Sequence, residues 1–139
     1  MSTHALRLTP GTDLKEALER LNRACGFRAA YILTCVGSLT HARLRMPAPI
    51  GAAPSFRTWA EPMEIVSLTG TLSPDGVHIH ISLARADGGC VGGHLAQGCI
   101  VNTTAELVIG EASEVDFHRA PDPATGYAEL SVSPRASEG

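Results

Sequence analysis

Apolar and polar residues alternate with two different periods along this chain, and the changes of period divide it into elements. Between Asp13 and Gly26 the residues Leu14, Ala17, Leu18, Leu21 and Cys25 recur at three- and four-residue spacing, which places them on one face of an amphipathic helix. Asp13 followed by Glu16 three residues later is a helix-starting pair, and Gly26 supplies a left-handed stop. Elsewhere the period is two, or the run is continuously apolar. Residues 6–8 read as a short strand, residues 31–39 as a buried strand up to the Gly37-Ser38 break, and residues 41–46 as a more polar continuation. Residues 47–54, with three Pro among small partners, form a loop over a site or an interface. Residues 64–72 and 77–84 flank Ser73-Pro74-Asp75-Gly76 and form a hairpin. Asp87-Gly88-Gly89 and Gly92-Gly93 make a flexible connection; residues 100–109 alternate again, and weaker strands follow at 115–118 and 127–132.

One helix and about eight strands joined by short turns define an α+β class: a single domain with a largely antiparallel sheet and one main amphipathic helix. The domain spans 1–139, with a core of about 5–132 and a tail at 134–139 expected to fray. A chain of 139 residues can bury a self-sufficient core without disulfides or a structural metal. The four cysteines contain no C-x-x-C pair and read as small buried hydrophobes of a reducing compartment. No apolar h-region or membrane-length run is present, so the expected location is the cytoplasm, with no membrane contact. Charged residues are only 18% of the chain, which suggests surface hidden by self-association. A net charge of −3 removes the basic footprint on which sequence-independent nucleic-acid binding rests.

The candidate chemistry lies in the histidines. In Val77-His78-Ile79-His80-Ile81-Ser82-Leu83 the strand period puts His78 and His80 side by side on the face opposite Ile79 and Ile81. Two such imidazoles are half a metal site. His94 follows a glycine-rich stretch whose backbone can fold back and deliver a third. Three neutral imidazoles leave a coordination position open, which marks a catalytic or ligand-binding ion. Cys90 is an alternative ligand to His94. Glu64, Asp75, Asp87 and Glu106 are candidate acceptors for the imidazole N–H groups, Glu64 first because it opens the strand paired with the histidine strand. Arg43 and Arg45 share a strand face and could meet an anionic ligand or an intersubunit carboxylate. His4, His41 and His118 read as surface histidines. The metal would be divalent, with zinc first and iron or nickel compatible.

Glu64-Ile65-Val66-Ser67-Leu68-x-Gly70, Asp75-Gly76-x-His78-x-His80 and Gly92-Gly93-His94-Leu95-x-x-Gly98-Cys99-Ile100-Val101 together resemble the PPC (plants and prokaryotes conserved) domain over nearly the whole chain. The resemblance implies an antiparallel α+β fold and a homotrimer. It is also similar in fold to acetolactate decarboxylase, which implies His78, His80 and His94 as ligands and a nearby Glu64 or Arg45 as acid/base or anion-holding group. In plants the domain follows AT-hook segments that grip DNA. The Arg-Gly-Arg-Pro core of such a hook does not occur here; Arg43-Leu44-Arg45-Met46-Pro47 lacks its Gly, and Pro62-Met63 stands where plant members carry an Arg-Phe partner-binding segment. Three functions follow as expectations: a trimeric metal domain handling a small anionic or carbonyl-bearing molecule, a DNA-associated regulator, and a protein-interaction module.

Overall fold

Alternation along Val77–Leu83 is the feature from which the architecture is most easily built. Ile79, Ile81 and Leu83 are almost fully buried while His78 and His80 face outward, and each buried aliphatic side chain contributes about 1.5–3 kcal/mol. In the computed structural model, which describes residues 1–137, this strand is one of nine accompanied by a single helix among the described residues. The order is β1 (Ser2–Leu8), α1 (Leu14–Cys25), β2 (Ala30–Arg45), β3 (Phe56–Trp59), β4 (Met63–Ser73), β5 (Gly76–Ala84), β6 (Cys90–Leu95), β7 (Ile100–Glu111), β8 (Val115–Pro121) and β9 (Ala128–Pro134).

Every strand pairing is antiparallel, and the α+β class holds. Seven strands form one sheet in the order β1-β7-β2-β4-β5-β6, with β3 added to β2, while β8 and β9 form a separate hairpin. β2 organises the sheet. Its first part pairs with β4 and β7, and near its end Leu44 meets Leu95 of β6 on one edge and Arg57 of β3 on the other. The path β2-β4-β5-β6 therefore returns to β2, closing the sheet on itself around Leu39, Leu44, Leu72, Leu83 and Leu95.

The helix sits where its caps are made. Asp13 accepts from the Glu16 backbone N–H at 3.0 Å through one carboxylate oxygen and from the Gly98 N–H at 2.7 Å through the other. Gly26 ends the helix at φ 61°, a left-handed value that glycine adopts without strain. Leu14 and Leu18 are fully buried, and Asn22 donates to the Ser73 carbonyl at 2.9 Å. Cys25 was expected on this face but is exposed at the helix end. Cys90 is exposed too, whereas Cys35 and Cys99 are buried, and burial pushes the Cys35 thiol up to about 11.

Three departures from the sequence reading have physical causes. The Gly37-Ser38 break is absent: β2 runs through it with a register shift, and a Cβ on Gly37 would strike the Thr104 carbonyl oxygen. Of the glycine-rich connection, Gly92 and Gly93 belong to strand β6 while Asp87, Gly88 and Gly89 stay in the β5–β6 turn, and β3 is an added short strand. A Cβ on Gly92 would lie 2.7 Å from the Ile81 carbonyl oxygen, and one on Gly93 2.8 Å from that of Arg45; these glycines permit close approach of backbones rather than freedom. The segment expected to fray begins within a strand. Pro134 closes β9, and Arg135 donates to Asp116 at 3.1 Å and to the Ala112 and Val115 carbonyls at 3.1 and 3.0 Å. Residues 138 and 139 lie outside the described residues.

Because Asp13 satisfies two otherwise orphaned N–H groups, Asp13→Ala should lower the unfolding free energy by about 1–2 kcal/mol in urea titrations. Asp13→Asn, which keeps an acceptor, should recover at least half of that loss; equal losses in both variants would contradict the capping role.

Candidate metal centre and its cavity

Directly opposed residues of an antiparallel pair point to the same side of a sheet with Cβ atoms about 4.5–5.5 Å apart. The register sets Thr69 opposite His80, His80 opposite His94, and His94 opposite Arg45. A single row of side chains thus crosses four strands, and His78, two residues from His80 and opposite Thr71, stands beside it. The imidazole centroids lie 5.0 Å (His78 and His80), 5.1 Å (His78 and His94) and 5.5 Å (His80 and His94) apart. One ring nitrogen from each falls within 4.8 Å of the others. A tetrahedral ion with ligand bonds near 2.0 Å needs nitrogens about 3.3 Å apart, so small side-chain rotations bring these three groups onto one ion. The group could hold a metal.

Its electrostatics favour the ligand form of the rings. Burial, then the charges of Arg45, His78, His80 and Lys15, push His94 down to about 4 from its ordinary 6.5. Burial and the Arg119 and His80 charges also lower His78, with Glu129 acting in the opposite direction. At neutral pH both are uncharged bases. The Nε2 atoms of His78 and His80 are 3.2 Å apart, and Arg45 Nη2 donates to His94 Nδ1 at 3.2 Å.

Arg45, His80 and His94 of this row line a cavity of about 500 Å³ together with Met46, Pro47 and Tyr127, the size of a small-molecule site. The Pro-rich segment read as a loop over a site does line it, through Pro47, Ala48, Ala52 and Pro54. A second, smaller recess shares Arg45, His94 and Tyr127 with the first and is lined also by His78, Asp75, Arg119 and Glu129. Arg119 is fixed there by donating from Nη2 to Thr71 Oγ1 at 2.9 Å and from its backbone N–H to Asp75 Oδ2 at 2.8 Å.

The structure thus unites His78, His80, His94 and Arg45, but not all of the sequence-derived candidates. Glu64 lies opposite Ala84, four residues along β5 from His80, about 13 Å away along the strand. Arg43 lays its guanidinium over Phe56 at 3.9 Å. Asp87 accepts from Gly89 N–H in the β5–β6 turn, Glu106 accepts from Thr104, and Cys90 pairs with Ala84, all apart from the histidines. Of the four carboxylates weighed, Asp75 shares a recess with His78. His4 stacks edge-on against Phe27 at 5.0 Å, with its Nε2 buried, and is not a free surface group. Arg119, Tyr127 and Glu129 carry no sequence signal: they sit on the β8–β9 hairpin, whose docking depends on contacts distant in sequence.

A family model described as the Plants and Prokaryotes Conserved (PCC) domain matches residues 1–113. Over 138 residues the chain is 46% identical to the bifunctional protein GlmU of a Synechococcus strain, which covers 99% of this chain and 21% of that protein. The chain therefore spans about a fifth of the length of the curated relatives it matches first. The AT-hook motif nuclear-localized protein 25 of Arabidopsis thaliana is 30% identical over 129 residues, covering 87% of this chain and 42% of that protein. Among solved structures, a hypothetical protein from Salmonella enterica superposes with a TM-score of 0.90 at 38% identity, covering 97% and 95% of the two chains. A protein of Archaeoglobus fulgidus described as metal-containing gives a TM-score of 0.80 at 28% identity, covering 94% of each. A Staphylococcus aureus protein similar to acetolactate decarboxylase shares the fold alone, at a TM-score of 0.52 and 15% identity, over 79% of this chain and 52% of that one.

In metal-free protein, imidazole NMR should show His94 protonating near pH 4. Since the unfolded chain takes up that proton near pH 6.5 and the folded chain later, stability should fall as the pH drops from about 6.5 toward 4. Arg45→Gln should raise the His94 midpoint; an unperturbed midpoint in the wild type would contradict this placement of the ring.

Proposed function

Because the chain belongs to the Plants and Prokaryotes Conserved (PCC) domain family, we propose that it is a homotrimeric metal-binding domain that binds or transforms a small anionic or carbonyl-bearing molecule. His78, His80 and His94 hold the divalent ion, and the observation that carries this reading is their convergence to within 4.8 Å beside a cavity that His80 and His94 line. Three neutral imidazoles suit zinc first, with iron and nickel compatible. When bound, such an ion supplies Lewis acidity, polarising a carbonyl or a water in its open position.

The rest is the work of the protein's own residues. Arg45 presents a planar donor fork at the same cavity wall, the geometry that holds a carboxylate through two parallel hydrogen bonds. Met46, Pro47 and Tyr127 make the opposite side apolar, which restricts water and strengthens the charge interactions inside. The Archaeoglobus neighbour described as metal-containing supports the ion. For the trimer, the support is an apolar outer face: Leu33, Val36 and Val66 are 47%, 62% and 60% exposed on β2 and β4, a patch that self-association covers. None of the described helices is long and apolar enough to cross a membrane, and the proposed location is the cytoplasm.

Protein purified without added ions and then loaded with zinc should retain about one ion per chain by elemental analysis, and His78→Ala should retain far less. A wild-type protein that takes up no divalent ion removes this reading.

A second reading, association with DNA, is favoured by the similarity to the Arabidopsis AT-hook protein. The 139 residues contain no Arg-Gly-Arg-Pro core and carry a charge of −3, so duplex DNA should not bind to this chain even at low salt. Binding whose affinity falls steeply with salt would show phosphate contacts and decide for the DNA reading.

A further inference from the structure

Arg45 and a metal ion compete for the same ring. Antiparallel pairing of β2 with β6 puts Arg45 directly opposite His94, and Gly93, where a Cβ would come within 2.8 Å of the Arg45 carbonyl oxygen, leaves room for the close approach of the two strands. A guanidinium can only donate, so His94 Nδ1 accepts the 3.2 Å hydrogen bond from Arg45 and the neutral ring carries its proton on Nε2. In that tautomer neither nitrogen offers a free lone pair. An ion that takes Nδ1 replaces the guanidinium. One that takes Nε2 requires any remaining ring proton to sit on Nδ1, where it would confront another donor. The repulsion between a divalent ion and a guanidinium held at the same imidazole acts in the same direction.

We infer that Arg45 is a latch on the metal centre: it occupies His94 in the metal-free site, and metal binding releases it into the cavity, where it receives the anionic group of the ligand. This rests on the metal reading and adds its regulation. Among the described residues, the hydrogen bond to His94 is the one side-chain bond Arg45 makes, and no carboxylate pairs with it. Nothing else anchors the released group, and it already lines the 500 Å³ cavity. Anion and ion therefore reinforce one another: whatever holds Arg45 away from His94 tightens the metal, and the metal tightens it by the same factor.

The test is zinc affinity, measured by competition with a chromophoric chelator, for wild type and Arg45→Met with and without acetate as the carboxylate probe. Nitrogen-15 NMR of the metal-free wild type, which needs no variant to fold, reads the His94 tautomer in parallel. The latch predicts the Nε2–H tautomer in the wild type, and zinc binding about tenfold tighter in Arg45→Met, the equivalent of one hydrogen bond to a charged donor. Acetate should tighten zinc binding by the wild type and leave Arg45→Met unchanged. An Nδ1–H tautomer, or equal zinc affinities in the two proteins, overturns the latch while leaving the metal centre standing. No zinc binding by either protein overturns both.

Discussion

Antiparallel register decides which side chains meet in this fold, because directly opposed residues emerge on the same side of the sheet and cannot be reoriented singly. Four strands separated by up to fifty residues contribute one member each to the row Thr69, His80, His94 and Arg45. A one-residue slip of β6 against β5 would turn His94 into the core and bring Leu95 out. The buried set Ile79, Ile81, Leu83 and Leu95 opposes that slip, and the site inherits its precision from hydrophobic burial on the opposite face. Closure of the path β2-β4-β5-β6 onto β2 adds a second constraint. Without the β2–β6 pairing, Arg45 would have no fixed relation to the histidines.

Charge is distributed unusually around this row. Two guanidiniums, Arg45 and Arg119, approach the three imidazoles, and among the described residues neither forms an ion pair with a carboxylate; Asp75 meets Arg119 through the backbone N–H. Burial first, and then the cations beside the rings, make the protonated forms costly, which is why His94 and His78 are held below their ordinary range. The same cations favour negative charge in the cavity. Nitrogen bases and spare positive donors side by side form a consistent combination for the proposed function: an ion would supply the charge that the bases lack, and an anion would complete the donors. Glu129, which shares a recess with His78, pulls that ring toward protonation, but burial and the two guanidiniums outweigh it.

Much of this was legible in the chain because its period-two patterns are clean. Val77–Leu83 shows which residues face the core without any tertiary information, and the Asp13 and Gly26 signals mark the helix ends. His94 was connected to His78 and His80 for a different reason from the one the fold uses: Gly92 and Gly93 look like a flexible hinge, whereas they are in-register strand residues where Ile81 and Arg45 approach closely. Sequence alone does not separate these meanings, since both require the absence of a Cβ and the approaching backbone belongs to remote segments. Glu64 was favoured for belonging to the strand that pairs with β5, but strand membership does not fix position along it; four residues separate its partner from His80. The trio Arg119, Tyr127 and Glu129 was invisible because nothing local says where a short polar hairpin will dock.

That hairpin divides the site into two parts held in place by different interactions. The family match ends at residue 113, so it includes the three histidines and Arg45 but none of β8, β9 or the turn between them. Asp116 ties the hairpin down, accepting a bidentate pair of hydrogen bonds from Arg28 at 2.8 and 2.7 Å and another from Arg135. These guanidinium hydrogen bonds hold its carboxyl below the usual range and keep it ionised at neutral pH. The three histidines that could hold an ion are therefore set by sheet register, while Tyr127, Arg119 and Glu129 are positioned by a separately anchored element that touches the two recesses from outside the sheet. Substitutions in the hairpin can change the shape and charge met by a ligand without shifting a single strand pairing beneath the histidines. The proposed ligands and the hairpin residues are thus held by different interactions, yet the charges of Arg119 and Glu129 still act on His78, so the hairpin can tune the basicity of that ring without moving the strand that carries it.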